Sequence, residues 1–432
     1  MSALSQPATS QRHPLAVAVI GAGMAGRTHA NAWRQVGTVF GSEGIPPIRL
    51  AAICDSYEPF ARSARDSYGY ERAVTDWHDI VDADDIDVVS VVVSNALHRQ
   101  VAEDLVRAGK HVLCEKPLSD SLENARAMAE LEANSQVVTG VGFNYRRHPS
   151  VAAIAELVRH GRLGDVTTFS GRYWCGYGVD PTVPMAWRYR GSQGSGALGD
   201  LGSHIIDVAE FVCGPIRSVR GGAFATIIDK RPPALEGVAG GRGTTVSAQG
   251  IETVENDDIA VFNMTFESGA IGTIVVSRVA FGLPNSMEFD VFGTQGRASF
   301  DLARSGEIIV DDTSTPEGFS GPRQVLSNPA FPYYKGGSSM DFAGVGRTQI
   351  EQFTYQARAF LDQVWGWTKG FLRCRPLRTG TEQCVSPMPS LDLRRPAGKP
   401  LISSDTTVIT YPLQKLGVRH VHEYRGLHRL SP

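Results

Sequence analysis

Six cysteines in 432 residues (Cys54, Cys114, Cys175, Cys213, Cys374 and Cys384) form no CxxC pair and have no histidine-rich neighbours. That pattern indicates neither a zinc site nor a disulfide framework, and no metal is expected. No apolar run approaches the roughly 20 residues that a membrane span requires. The opening MSALSQPATSQRHP lacks a charged start followed by an apolar core. A cytoplasmic protein without a membrane partner is the expectation, with residues 1–14 disordered. Charge of one sign is also scarce. The formal net charge is -3, too little positive field for nucleic acid to be the main partner. What is present, 42% hydrophobic and 20% charged residues, describes a globular chain long enough for two domains and suited to a small, weakly charged ligand.

The segment LAVAVIGAGMAGRTHANAW sets an apolar strand (Leu15 to Ile20) before GAGMAG and a helical pattern after it, through Trp33. In that setting Gly21 makes a tight turn, Gly23 lets the backbone approach a pyrophosphate, and Gly26 lets helix pack on strand. Met24 and Ala25 open the helix, whose N-terminus faces the phosphates. The second strand, IRLAAICD, ends at Asp55, placed to accept from an adenosine ribose 2′-OH. A carboxylate there repels a 2′-phosphate, so NAD is expected over NADP. The other reading of Asp55 is a cap for the helix starting near Glu58.

Strand and helix then alternate: IDVVSVVV, a helix from about His98 to Arg107, HVLCEKP, a helix from about Leu122 to Ala133, and QVVTGVGF. Alternation of this kind builds a parallel sheet that binds ligands at the carboxyl ends of its strands. Ser94, Asn95 and His98 follow one strand end, and Glu115, Lys116 and Pro117 follow the next, so both groups are expected to face a dinucleotide. Lys116 stands where a nicotinamide ring belongs and can polarise a substrate oxygen.

Further on, GALGDLGSHIIDVAE (196–210) reads as the first turns of an amphipathic helix with Asp200, His204 and Asp207 on one face. Such a set is either a helix cap with a satisfied histidine or a base with its orienter. These residues alone leave both readings open.

Taken in order, IGAGMAG, CEKP, GFNYRRHP, PMAWR and GALGDLGSHIID make the chain resemble the glucose-fructose oxidoreductase and inositol dehydrogenase (Gfo/Idh/MocA) family from about residue 15 to about 365. The resemblance implies a Rossmann NAD(P)-binding domain (15–142) and an α+β domain (143–365) whose large, mainly antiparallel sheet covers the substrate and makes homo-oligomer contacts. Apolar alternation in VTTFSGRYW, IAVFNMTF, AIGTIVVSRVAF and MEFDVFG supports that sheet independently. It also implies roles. Lys116, Asp200 and His204 become the catalytic set, with His204 the base and Asp200 its orienter. Asn144, Arg146, Trp187 and Arg188 fall at motif positions near the cofactor or substrate. Apart from the motifs, Asp180 and Asp207 are candidates to bind the hydroxyls of a polyol or sugar. The implied activity is NAD-dependent oxidation of a secondary alcohol of a cyclitol, sugar or sugar derivative. Its rivals are an NAD-retaining glycoside hydrolase and a non-catalytic sensor.

Two stretches depart from this pattern. Residues 229–250 are Gly-rich without period and read as a long mobile loop. Residues 366–432 hold 11 Lys or Arg against 4 Asp or Glu and 7 of the 24 prolines, an atypical basic tail.

Overall fold

The computed structural model describes residues 14–41, 45–191, 196–235, 247–316, 318–336 and 340–365. The expectations for the N-terminal arm and for the basic tail lie outside the described residues. Strands β1 (Leu15–Ile20), β2 (Ile48–Cys54), β3 (Arg72–Val74), β4 (Val88–Val91), β5 (His111–Cys114) and β6 (Thr139–Val141) form one sheet in the order β3-β2-β1-β4-β5-β6. Every pairing in it is parallel. The order reverses beside β1, where β1 pairs with both β2 and β4. A doubly wound sheet opens its ligand crevice at such a point. Helices α1 (Met24–Val39), α2 (Glu58–Tyr68), α3 (His78–Val81), α4 (Asn95–Arg107) and α5 (Leu122–Ala133) make the crossovers.

Helix α6 (Pro149–Arg159) leads into the second domain, where α7 (Ser203–Cys213) lies between β7 (Val166–Trp174) and β8 (Ile216–Ala225) in sequence. A two-stranded ribbon follows, β9 (Lys230–Arg231) with β10 (Glu252–Thr253). Then come β11 (Ile259–Phe266), β12 (Ile271–Ser277), β13 (Ser286–Gly293), β14 (Gly296–Asp301), β15 (Glu307–Asp312) and β16 (Arg323–Leu326). The eight-stranded sheet runs β16-β15-β14-β13-β7-β12-β11-β8, antiparallel except where β7 meets β12. Its inner face buries Phe169, Phe262, Phe289 and Phe300 against Ile154 of α6 and Ile205 and Val208 of α7. The Rossmann and α+β architecture expected from the sequence is therefore present.

Three local expectations change. The last helix, α8 (Gln349–Val364), returns to the first domain: Tyr355, Phe360 and Leu361 share a core with Trp33, Val36 and Phe40. The first domain is thus discontinuous in sequence, closed by α8. Helix α1 also runs on to Val39, beyond Trp33, and Val36 and Phe40 join a core that includes Tyr355, Phe360 and Leu361 of α8. Finally, the 229–250 loop is anchored at its start. Arg231 in β9 is buried, and Ala234 bridges to Ser247, while 236–246 fall outside the described residues.

Candidate active site

The glycine turn has the geometry of a phosphate cradle. Gly21 has φ +104°, and a Cβ there would lie 2.1 Å from the carbonyl oxygen of Val92. A Cβ on Gly26 would meet the Gly21 carbonyl oxygen at 1.8 Å. Gly23 differs: no protein atom lies within 4 Å of a Cβ built on it. The chain's own packing thus demands Gly21 and Gly26, whereas the space beside Gly23 is open. Gly23 also caps α1, whose first turn carries neither an acidic residue nor a side-chain cap. Asp55 closes this corner, accepting from Ala22 N at 2.8 Å and from Tyr57 N at 2.9 Å. Asp55 thus stands at the end of β2 beside the turn, while the N-cap of α2 is Tyr57 without a side-chain cap bond, so Asp55 does not cap that helix. These residues fit a dinucleotide.

Of the other residues expected to face the cofactor, His98 and Glu115 bond to the protein's own groups. Ser94 is the N-cap of α4 and Asn95 its first residue, which is buried. His98 sinks behind them: Nε2 lies 3.1 Å from the Val93 carbonyl and Nδ1 3.1 Å from that of Pro117. Burial lowers its pKa against the pull of those carbonyls. The ring ties the end of β4 to the EKP loop. Glu115 likewise points inward, to His29 Nε2 at 2.9 Å, in a buried chain that continues through Ser90 to Trp33. Burial pushes its carboxyl up, but the hydrogen bond and charge of His29, with Lys116 adjacent, hold it below the usual range. A Cβ at Gly142 would meet its Oε1 at 2.5 Å, so that glycine makes room for the bond.

Lys116 alone of this loop crosses to the second domain. Its Nζ donates to Asp200 Oδ1 and to the Asp200 carbonyl, both at 3.0 Å. Asp200 does not lie on an amphipathic helix, as its spacing suggested. Leu198–Gly202 form a π-helical turn leading into α7, and most residues of both are buried because the element is enclosed by β7, β12, α6 and the segment Asn144–Arg147. Single π-turns inside helices recur at functional sites. The aspartate expected to orient His204 carries Lys116 on one oxygen and Tyr177 on the other, whose hydroxyl donates at 2.8 Å. His204, 8% exposed, lies edge-on to Tyr145 at 4.9 Å between ring centroids and near Phe143 and Tyr173.

Of the remaining expected residues, Arg146 and Asp207 meet each other. Arg146 Nε donates to Asp207 Oδ2 at 2.9 Å, and a second contact joins its terminal nitrogen to Oδ1. Burial raises the Asp207 carboxyl despite the arginine's charge. Asp207 is thus committed to a fork-shaped ion pair inside the helix packing instead of standing open to a polyol. Asp180 is exposed and closes a turn, accepting from Thr182 N and Oγ1. Asn144 is buried. Trp187 and Arg188 are neighbours in a short 3₁₀ turn, with the guanidinium stacked 4.3 Å from the indole.

Sequence reasoning passed over two features. Tyr177 left no motif. Behind His204, a closed circuit runs from Gln349 Nε2 to Tyr145 OH (2.8 Å), to Tyr173 OH (2.8 Å), to Asn285 Oδ1 (2.8 Å), and from Asn285 Nδ2 back to Gln349 Oε1 (2.9 Å). Only Tyr145 in NYR hinted at it. Among the described residues no group of three or more His, Cys, Asp or Glu is placed to hold a metal, and no helix is long and apolar enough to cross a membrane.

Residues 15–143 match the family description "Oxidoreductase family, NAD-binding Rossmann fold", and residues 151–299 match "GFO/IDH/MocA C-terminal domain". Levoglucosan dehydrogenase of Pseudarthrobacter phenanthrenivorans is 34% identical over 334 residues, 77% of this chain and 85% of that protein. Myo-inositol 2-dehydrogenase of Thermotoga maritima is 28% identical, over 70% of this chain and 80% of that one. The solved structure of a levoglucosan dehydrogenase in complex with NADH and levoglucosan superposes with a TM-score of 0.75 at 31% identity, covering 82% of this chain and 91% of that one. The likeness spans both domains, and the chain belongs to the Gfo/Idh/MocA family of NAD-dependent oxidoreductases.

Proposed function

We propose that the protein oxidises a secondary alcohol of a sugar, anhydrosugar or cyclitol with NAD, using Lys116, Asp200 and His204. The observation that carries this reading is the Lys116–Asp200 contact, which brings one charged group from each domain to a single buried point beside His204. The relatives named above, a levoglucosan and an inositol dehydrogenase, support the substrate class.

Two of the three ammonium donors of Lys116 are committed to Asp200, which leaves one for a substrate oxygen. Both side chains are at most 14% exposed, so their charges act with little screening. As the alcohol loses its proton, negative charge grows on oxygen, and a fixed ammonium there lowers the barrier. His204 is the group in this set able to take that proton near neutral pH. Bound NAD supplies the hydride acceptor. Gly21, Gly23 and Gly26 would hold its pyrophosphate and Asp55 its ribose, with NAD preferred over NADP. Homo-oligomer contacts would use the outer face of the large sheet, where Ile271 is exposed, and light scattering of the purified protein would report the assembly.

The direct test is NADH absorbance with purified protein and a panel containing levoglucosan, myo-inositol, aldoses and sugar acids. Stoichiometric NADH with one class supports the reading. Substrate turnover without net NADH would point to a hydrolase that regenerates its cofactor, and binding without turnover to a sensor.

A further inference from the structure

The loop after β7 reads Cys-Gly-Tyr-Gly, residues 175 to 178. Both flanking glycines sit tightly against a neighbouring segment: a Cβ on Gly176 would lie 3.0 Å from the Ala280 carbonyl oxygen, and one on Gly178 would lie 2.9 Å from that of Arg278. The loop is also bonded to that neighbouring segment. Cys175 N donates to Ser277 O, Ala280 N to Cys175 O, and Gly178 N to Arg278 O, all within 3.0 Å. Behind it stand two buried guanidiniums. Arg231 donates to the carbonyls of Gly178 (2.5 Å) and Asp180 (2.7 Å). Arg278 pairs with Asp258 at 2.6 Å, with both side chains fully buried. The two arginines also share the ring of Tyr189, at 4.1 and 4.6 Å. A buried framework of this kind fixes the backbone on either side of Tyr177, whose hydroxyl meets Asp200 Oδ2 at 2.8 Å.

We infer that Tyr177 is a positioning residue for the dehydrogenase reaction, fixing the Asp200 carboxylate against Lys116 from the side of the sheet domain. The inference rests on the reading of Lys116, Asp200 and His204 given above. Each oxygen of Asp200 then has its own donor, one charged and one neutral, and the carboxylate cannot rotate without losing both. Hydrogen bonds to a carboxylate favour its ionised form, so the phenol helps Lys116 keep Asp200 negative. The charged and titratable groups around Asp200 include Lys116 from the EKP loop, Tyr177 from the β7 loop and His204 four residues along.

The test is Tyr177→Phe in the full-length protein, which removes one oxygen and keeps the ring. With the best substrate of the panel, the acidic limb of kcat/KM should move up by about half a unit to one unit, and kcat should fall about tenfold. The affinity for NADH, read by fluorescence, should stay within about twofold, because Tyr177 lies outside the cofactor cradle. Adding Tyr177→Phe to Asp200→Asn should slow the enzyme no further, since the tyrosine acts through the aspartate. An unmoved acidic limb, or additive losses in the double variant, overturns the inference. To separate it from the dehydrogenase reading, the Asp200 carboxyl is titrated without substrate by ¹³C-aspartate NMR, assigned with Asp200→Asn. A raised midpoint in Tyr177→Phe supports the positioning role even if no sugar is turned over, and an unchanged midpoint defeats it even if one is.

Discussion

Lys116 and Asp200, 84 positions apart, meet at 3.0 Å between Nζ and Oδ1. The lysine follows β5 of the Rossmann sheet, and the aspartate sits in the π-turn ahead of α7. The contact therefore closes one domain on the other at the place where chemistry is proposed. If it serves catalysis, Lys116→Met and His204→Ala should each slow single-turnover hydride transfer by about 10² to 10⁴. Melting temperature should fall for Lys116→Met, which leaves the buried Asp200 carboxylate without its ammonium partner, so turnover is compared per folded molecule. Lower stability with unchanged turnover per folded molecule would instead mark the group as structural.

The glycine turn offers a separation of folding from binding. Gly26→Ala places a Cβ 1.8 Å from a carbonyl oxygen and should lower the melting temperature or abolish soluble protein. Gly23→Ala meets no protein atom, so stability should stay within about 0.5 kcal/mol while NADH affinity falls. Calorimetric titration with NADH checks both, and equal destabilisation of the two variants would argue against the cradle.

Asp55→Ala should reduce discrimination between NAD and NADP. The ratio of kcat/KM values is expected to fall about tenfold or more, roughly 1.4 kcal/mol. Some loss of affinity for both cofactors should accompany it, because Asp55 also holds the Ala22 N–H of the turn. An unchanged ratio would leave the carboxylate with its backbone role alone.

Stability should depend on pH through His148, whose pKa burial lowers from 6.5 to about 4. Between those values the unfolded chain binds a proton that the folded chain does not. Stability therefore rises with pH across this window and is lost as pH falls, by up to about 3 kcal/mol. His98, also lowered by burial, acts in the same direction. Replacing His148 by Asn keeps an acceptor for the Ser150 N–H at the start of α6. Urea midpoints from pH 4 to 7 should then show a shallower slope, and parallel curves would clear His148 of this role.

The sequence by itself determined the elements whose signal is local. A strand, a spaced glycine set and a helix in succession specify a tight strand-to-helix turn because Gly21 and Gly26 each answer a nearby backbone clash, while the space beside Gly23 is left open. The strands 166–174 and 259–266 are likewise legible, since alternation follows directly from having one buried face. Residue types at Lys116, Asp200 and His204 were visible too, as a motif. Their partners were not. That Asp200 is held by Tyr177 as well as Lys116, that Asp207 is occupied by Arg146, and that His98 and Glu115 turn inward depends on segments that approach one another only after both sheets are built. Helix α8 shows the same limit. Its own pattern marks it as amphipathic, but its place on α1 is decided by which domain offers an uncovered apolar surface, a property of the assembled fold.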